Sequence, residues 1–153
     1  DPDALELAVV TAASIVEWAL ANGFRVALTT NGLHRLRTGP VAIGATNDPI
    51  RRRAFLSALG RLQPLSAHPF ALTLAVGSQR LVYGTTVVAI GAIFGPADLA
   101  RLIGLRRRGH PVSMLVTGRS TLPAIFNGID IRRIGPPESW RSLARIDPLE
   151  VRQ

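Results

Sequence analysis

The chain contains no cysteine and no lysine. Without cysteine there are no disulfides and no thiolate nucleophile or metal ligand, and cysteine usage says nothing about redox compartment. Without lysine there is no P-loop, which places that side chain beside the phosphates. All 18 basic residues are therefore arginine. Aromatic residues are scarce, at 5% of the chain, and none lies within Arg51–Arg53, Arg106–Arg108 or Arg132–Arg133. Single-strand binders interleave stacking rings with basic residues, so these clusters predict weak, salt-sensitive affinity and no specific nucleic-acid partner. Acidic residues number 10 and are scattered, with no pair spaced for shared acid–base work. His34, His68 and His110 have no acid at helical or hairpin spacing, and His110 marks a turn before Pro111. Gly118-Arg119-Ser120-Thr121-Leu122 lacks the closing glycine of a nucleophile elbow. No glycine-rich dinucleotide loop follows a strand, since Gly91 and Gly95 fall within and just after one. These absences predict a protein that is not an enzyme, with no catalytic residues and neither cofactor nor metal.

No basic-then-apolar leader opens the chain. No apolar run is expected to span a bilayer, because Leu81–Phe94 is broken by Gly84 and Gly91 and stopped at Gly95-Pro96. A first residue of aspartate rather than methionine is expected of a piece of something longer.

What is present is apolar. Hydrophobic residues make up 47% of 153 positions against 18% charged, which suits one compact domain, 1–153, with a generous core. The formal charge of +8 favours anionic partners. Arginine-only usage also fits genome composition or a warm habitat, the guanidinium groups simply solvating helix faces.

The most informative stretch is Thr85–Gly118. Thr85–Phe94 is β-branched and apolar without alternation, as in a strand covered on both faces. Gly95 stops it, and Pro96 suits the first turn of a helix. Leu99, Leu102 and Ile103 recur at helical spacing while Arg101 and Arg106–Arg108 face water. Gly109 ends the helix as a left-handed cap, and Pro111 leads into the strand Val112–Val116. Two buried strands joined by one helix predict a right-handed parallel crossover.

Elsewhere, Asp1-Pro2-Asp3 opens a helix to about Asn22 with Leu5, Val9, Ala12, Val16 and Leu20 on one side, closed by Gly23. Phe24–Thr30 reads as a strand, Asn31–Pro40 as a loop with a Gly39-Pro40 turn, and Val41–Ala45 as a short strand returning antiparallel. Asn47-Asp48-Pro49 starts a helix, Ile50–Leu62, that buries Phe55, Leu59 and Leu62 and exposes Arg51–Arg53. Pro64–Pro69 reads as a linker and Phe70–Tyr83 as a helix interrupted by Gly77. Thr121–Phe126 reads as a helical turn, Gly128–Ile134 as a last strand, and Pro137–Arg145 as an amphipathic helix carrying Trp140 and Leu143. Alternating helices and strands predict an α/β doubly wound sheet.

Open parallel sheets bind ligands at the carboxyl ends of their strands. Those ends carry Thr29, Thr30, Asn31 and Gly32; then Gly95 and Asp98; then Thr117, Gly118, Arg119, Ser120 and Thr121. Thr29, Thr30, Arg119, Ser120 and Thr121 make a candidate crevice for a small anion or nucleotide. The same small polar residues also make ordinary caps and turns, and at Asp48 and Asp98 a charge at a helix start suffices.

DPDALELAVVTAASIVEWALANGFRVALTTNG and the later GTTVVAIGAIF…LARLIGLRRRGHPVSMLVTG together resemble the C-terminal portion of the bacterial domain of unknown function family 58. That resemblance covers nearly the whole chain, with motifs that are fold-like rather than catalytic. It implies a three-layer, Rossmann-like domain of the von Willebrand factor type A class, mostly parallel, with helices on both faces. It further implies a cytoplasmic part of a membrane-anchored parent, acting as an adaptor or assembly factor with a MoxR-type AAA+ ATPase. The chain departs from the family in lacking the first, central strand and its Asp-x-Ser-x-Ser cation motif, and no aspartate directly ends Thr85–Phe94. With that strand missing, Phe24–Thr30 and Thr85–Phe94 would each present an unpaired edge. They are expected either to pair directly or to be covered by a second copy in a homodimer.

Overall fold

A computed structural model describes residues 1–34, 41–119, 121 and 123–142, with only the backbone at 34. It is a mixed α/β protein. Helix α1 (Pro2–Ala21) leads to strands β1 (Val26–Thr30), β2 (Gly32–His34) and β3 (Val41–Thr46), then a 3-10 turn (Pro49–Arg51) running into α2 (Arg52–Gly60). After these come β4 (Leu62–Ser66), α3 (Phe70–Ser78), β5 (Val87–Gly91), α4 (Pro96–Arg107), β6 (Val112–Val116), β7 (Ile125–Phe126), β8 (Ile129–Arg133) and a closing 3-10 turn (Pro137–Ser142).

The crossover is as expected. Strand β5 pairs parallel with β6 in register Val87↔Val112 to Gly91↔Val116, and Gly109 caps α4 at φ 92°. Asp98 reaches back from the first turn of α4 to accept the Gly95 N–H at 2.8 Å, closing its amino end. Leu102 and Leu105 of α4 pack with Ala89, Val112, Met114, Val116, Ile129 and Ile131 into the main core. Phe94 lies beyond the end of β5 and meets Phe70 edge-on, ring centroids 5.6 Å apart.

One continuous sheet does not form among the described residues. There are three: β1–β3, β2–β4, and a four-stranded sheet ordered β5-β6-β8-β7 in which only β7 runs antiparallel. Strand β1 takes β3 as an antiparallel partner, and β5 takes β6, so the direct pairing expected between Phe24–Thr30 and Thr85–Phe94 does not occur. A second core of Val16, Leu20 and Phe55, flanked by Val26, Leu28 and Ile43, sits where α1 and α2 cover β1 and β3. The two cores are joined by helices: α1 packs on both β1 and β5, and α3 on both β1 and α4.

Other differences are local. Pro64–Pro69 is not a linker at its start; Leu62–Ser66 pairs with Gly32–His34, a two-stranded ribbon whose open edges tolerate Pro64. Leu62 thus belongs to that ribbon and not to α2. Helix α3 ends at Ser78 rather than Tyr83. Thr121–Phe126 is no helical turn: Ile125–Phe126 folds back on Ile129–Asp130 through Asn127 (φ 49°) and Gly128 (φ 78°). Two successive positive φ values across Asn-Gly are the geometry of a tight hairpin. The buried stripe of α1 is Ala4, Leu7, Thr11, Ser14, Val16, Ala19 and Leu20, so Leu5, Val9 and Ala12 are only half-buried. Thr11 and Ser14 are accommodated because each hydroxyl donates to the carbonyl one turn back. Contrary to expectation, α1 meets the length and composition of a membrane span, with mean hydropathy 1.7; here its buried stripe packs into the domain. The Gly39-Pro40 turn and the stretch after Ser142, with Leu143, lie outside the described residues.

The start of α1 and the closing 3-10 turn meet at Asp3. Its Oδ1 accepts the Trp140 indole N–H at 2.9 Å and an Arg141 N–H at 3.0 Å. The Trp140 bond holds the Asp3 carboxyl below the usual carboxylate range; desolvation opposes it and the Arg141 charge adds to it. A depressed folded pKa gives stabilisation that is present above the unfolded pKa and disappears as pH falls through the folded one. Asp3→Asn is therefore expected to lower the melting temperature at neutral pH, with the gap to the unaltered protein closing in acid below the carboxylate range. Melting curves across pH check this; a gap independent of pH would show that the charge on Asp3 is immaterial.

Candidate functional site

The candidate residues fall into two groups that the fold does not assemble into one crevice. Thr29, Thr30 and Asn31 close β1 and turn the chain into β2. Thr30 Oγ1 accepts the Gly32 N–H at 3.1 Å, Asn31 Nδ2 donates to His68 O at 3.3 Å, and Asn31 O accepts the Ala67 N–H at 2.9 Å. Thr29 stands against Gly77 of α3, where a Cβ would come within 3.0 Å of its hydroxyl. The Thr30 and Asn31 groups are thus occupied in holding the turn after β1 and the segment leading into α3.

The second group stands at the carboxyl ends of β5, β6 and β8. Thr117 N donates to Gly91 O at 3.0 Å, locking the ends of β5 and β6 together, and Ile134 N donates to Val116 O at 3.0 Å, doing the same for β6 and β8. Thr117 is fully buried, and its hydroxyl has no hydrogen-bond partner among the described residues. Asp98 serves the helix start, as above. Arg119 and Thr121 are exposed, and Ser120 lies outside the described residues. Arg119 donates to Glu138 Oε2 at 3.2 Å and Oε1 at 3.4 Å.

Of the residues expected at strand ends, Gly118 and Arg119 border a pocket of ≈ 260 Å³; the other described lining residues are Arg133, Gly135, Pro136 and Pro137. Arg133 reaches it because the β6–β8 register sets it opposite Val116. Sequence reading missed the Gly135-Pro136-Pro137 wall. The signal was there, a turn directly after the last parallel strand, where such sheets place ligands.

The arginine clusters sit on separate elements and are tied locally. Arg52 pairs with Glu17, Arg106 Nε donates to Gly128 O at 3.3 Å, Arg108 Nε donates to Gly104 O at 3.4 Å, and Arg132 Nε pairs with Asp130 at 2.7 Å. His110 is buried, its Nδ1 3.2 Å from Thr85 O. Among the described residues, no three of His, Cys, Asp and Glu gather as a metal site would need.

The chain matches no protein-family model, no curated protein and no solved structure.

Another exposed feature is β5, an edge of the four-stranded sheet. Val87 N donates to Pro111 O and Gly91 O accepts from Thr117 N, so Val87, Ala89 and Gly91 point their backbone groups at β6. By the two-residue period of a strand, Val88 and Ile90 point theirs to the open side. Val88 is 39% exposed, and the neighbouring Val82, Tyr83 and Ile93 are 74%, 83% and 79% exposed.

Proposed function

We propose that this chain is a non-enzymatic, protein-binding domain of the von Willebrand factor type A-like class. It would act on the cytoplasmic side of a membrane-anchored parent as an adaptor or assembly factor with a MoxR-type AAA+ ATPase. The observation that carries the reading is the open edge of β5. Its sequence, Val-Val-Ala-Ile-Gly, is that of an interior strand, yet it lies at an edge. Exposed edges are ordinarily guarded by a charge, a proline or a bulge. Strand β5 has none of these, and among the described residues no strand takes up its open-side donors and acceptors, with which an extended segment would pair directly. Strand β1 is also paired on one side only, and α1 packs on both strands. That arrangement supports the three-layer class, with one further strand fitting between β1 and β5.

Val88→Lys tests the reading, because it puts a charge beside the open-side backbone groups of the edge without touching the bonds to β6. It is expected to weaken binding of a MoxR-type ATPase by about tenfold or more, read by calorimetry, while changing stability little. Unchanged ATPase binding would remove the edge from the interaction. Sedimentation of both proteins identifies the other occupant: a dimer lost on Val88→Lys, with ATPase binding intact, would make β5 a self-association surface and end the adaptor reading.

A further inference from the structure

We infer that the pocket bordered by Arg119 and Arg133 is a binding site for a phosphate group, carried by a small phosphate monoester. The inference is independent of the protein-binding edge, since the pocket lies between the ends of β6 and β8 and β5 is the outer strand.

Three observations carry it. The first is position. Strands β6 and β8 are parallel neighbours, and residues just past both carboxyl ends close the pocket, the place where parallel sheets receive ligands. The second is charge. Among the described residues two arginines line the pocket and no acidic residue does. A planar guanidinium offers paired N–H donors that match phosphate oxygens, and two of them suit a dianion. Glu138 shows how the site takes an oxyanion, since both its carboxylate oxygens lie within 3.4 Å of one Arg119 nitrogen. That pair is open to water, with side chains 75% and 50% exposed, so it is weak and readily displaced. The third is a polar group behind the wall: Ser139 Oγ has no hydrogen-bond partner among the described residues, and it stands 3.2 Å from where a Cβ on Gly135 would be.

Size narrows the ligand. At ≈ 260 Å³ the pocket falls just below the usual range for small-molecule sites, so it holds a phosphate and a short ester, not a dinucleotide. Pro136 and Pro137 give the ester an apolar wall, and the net charge of +8 draws anions towards the protein.

The probe is inorganic phosphate, titrated by calorimetry at constant ionic strength held with chloride. Saturable binding is expected. Arg119→Gln and Arg133→Gln are each expected to weaken it about tenfold or more, the loss of one charge-assisted hydrogen bond. Glu138→Gln is expected to tighten it, because it removes the internal competitor. Arg107→Gln, at the far end of α4 and the opposite edge of the sheet, is the charge-matched control and is expected to leave binding unchanged. The absence of saturation overturns the proposal. So does a loss in Arg107→Gln equal to that in Arg119→Gln, or weaker binding in Glu138→Gln. Melting curves of each variant confirm that the comparison is between folded proteins.

Discussion

Gly118→Ala is expected to destabilise the protein by about 3 kcal/mol, at the upper end of the usual cost of overpacking a tight site. Gly118 is buried where the chain leaves β6, against the segment leaving β5. A Cβ there would lie 2.9 Å from the carbonyl carbon of Ala92, 3.0 Å from its Cα, and closer still to its oxygen. All three are backbone atoms, so no rotamer change relieves the clash. Nor can the two segments separate freely, because Thr117 N holds Gly91 O at 3.0 Å immediately before the contact. The strain must therefore break that bond or bend the end of β5. Gly104→Ala makes the natural comparison: it lies within α4 with nothing inside 4 Å of its Cβ position. There the substitution is expected to stabilise, by up to about 1 kcal/mol of helix propensity. Urea denaturation of the two variants gives opposite shifts in midpoint. A Gly118→Ala midpoint equal to that of the unaltered protein would mean the ends of β5 and β6 are not packed this closely.

The same crossover shows what could be read from the sequence and why. Every signal in Thr85–Gly118 acts within a few residues: a continuous apolar run, a proline at a helix start, a glycine with positive φ at its end. Such signals need no knowledge of the rest of the chain. The antiparallel return of Val41–Thr46 onto β1 was legible for a similar reason, as a short apolar strand following a turn. How the strands divide into sheets is a different matter. Which strand pairs with Val26–Thr30 depends on contacts across the fold, and an apolar strand suits an interior position as well as an edge. The ribbon Gly32–His34 with Leu62–Ser66 was hidden because a proline sits in one strand and the other has three residues. The hairpin at Asn127-Gly128 was legible and missed, since Asn-Gly between apolar pairs is among the strongest short-range turn signals. In the candidate site, Arg119 could be picked out as the end of a recognisable strand. Arg133 could not, because its place beside Arg119 comes only from the β6–β8 register. Thr30 and Asn31 looked like ligand groups, but Thr30 bonds within the turn to Gly32 and Asn31 bonds across to His68.

Phe55→Ala is expected to cost about 3–5 kcal/mol, the range for removing a fully buried aromatic ring. Phe55 has no exposed surface and fills the second core with Val16 and Leu20, beneath Val26, Leu28 and Ile43. Its removal leaves a cavity among α1, α2, β1 and β3 at once, and the chain has few ways to refill it. Backbone hydrogen bonds fix β1 on β3, and Asp1 and Trp140 hold α1 at its start, through its backbone N–H groups and Asp3 respectively. A collapse of α2 alone would expose Leu59, itself buried. Because α1 and α3 tie this core to the main one, the loss should lower the stability of the whole domain rather than melt one half. The two tryptophans report on this directly. Trp18 stacks on Phe24 beside the second core, with ring centroids 5.5 Å apart, and Trp140 sits at the junction with Asp3. Denaturation followed by fluorescence and by circular dichroism should give one coincident transition, shifted to lower urea with an unchanged slope. A shift worth less than about 1 kcal/mol would mean that Phe55 is not enclosed. Two separated transitions would mean that α1 and α3 do not couple the cores, and that β1 and β5 flank no common position.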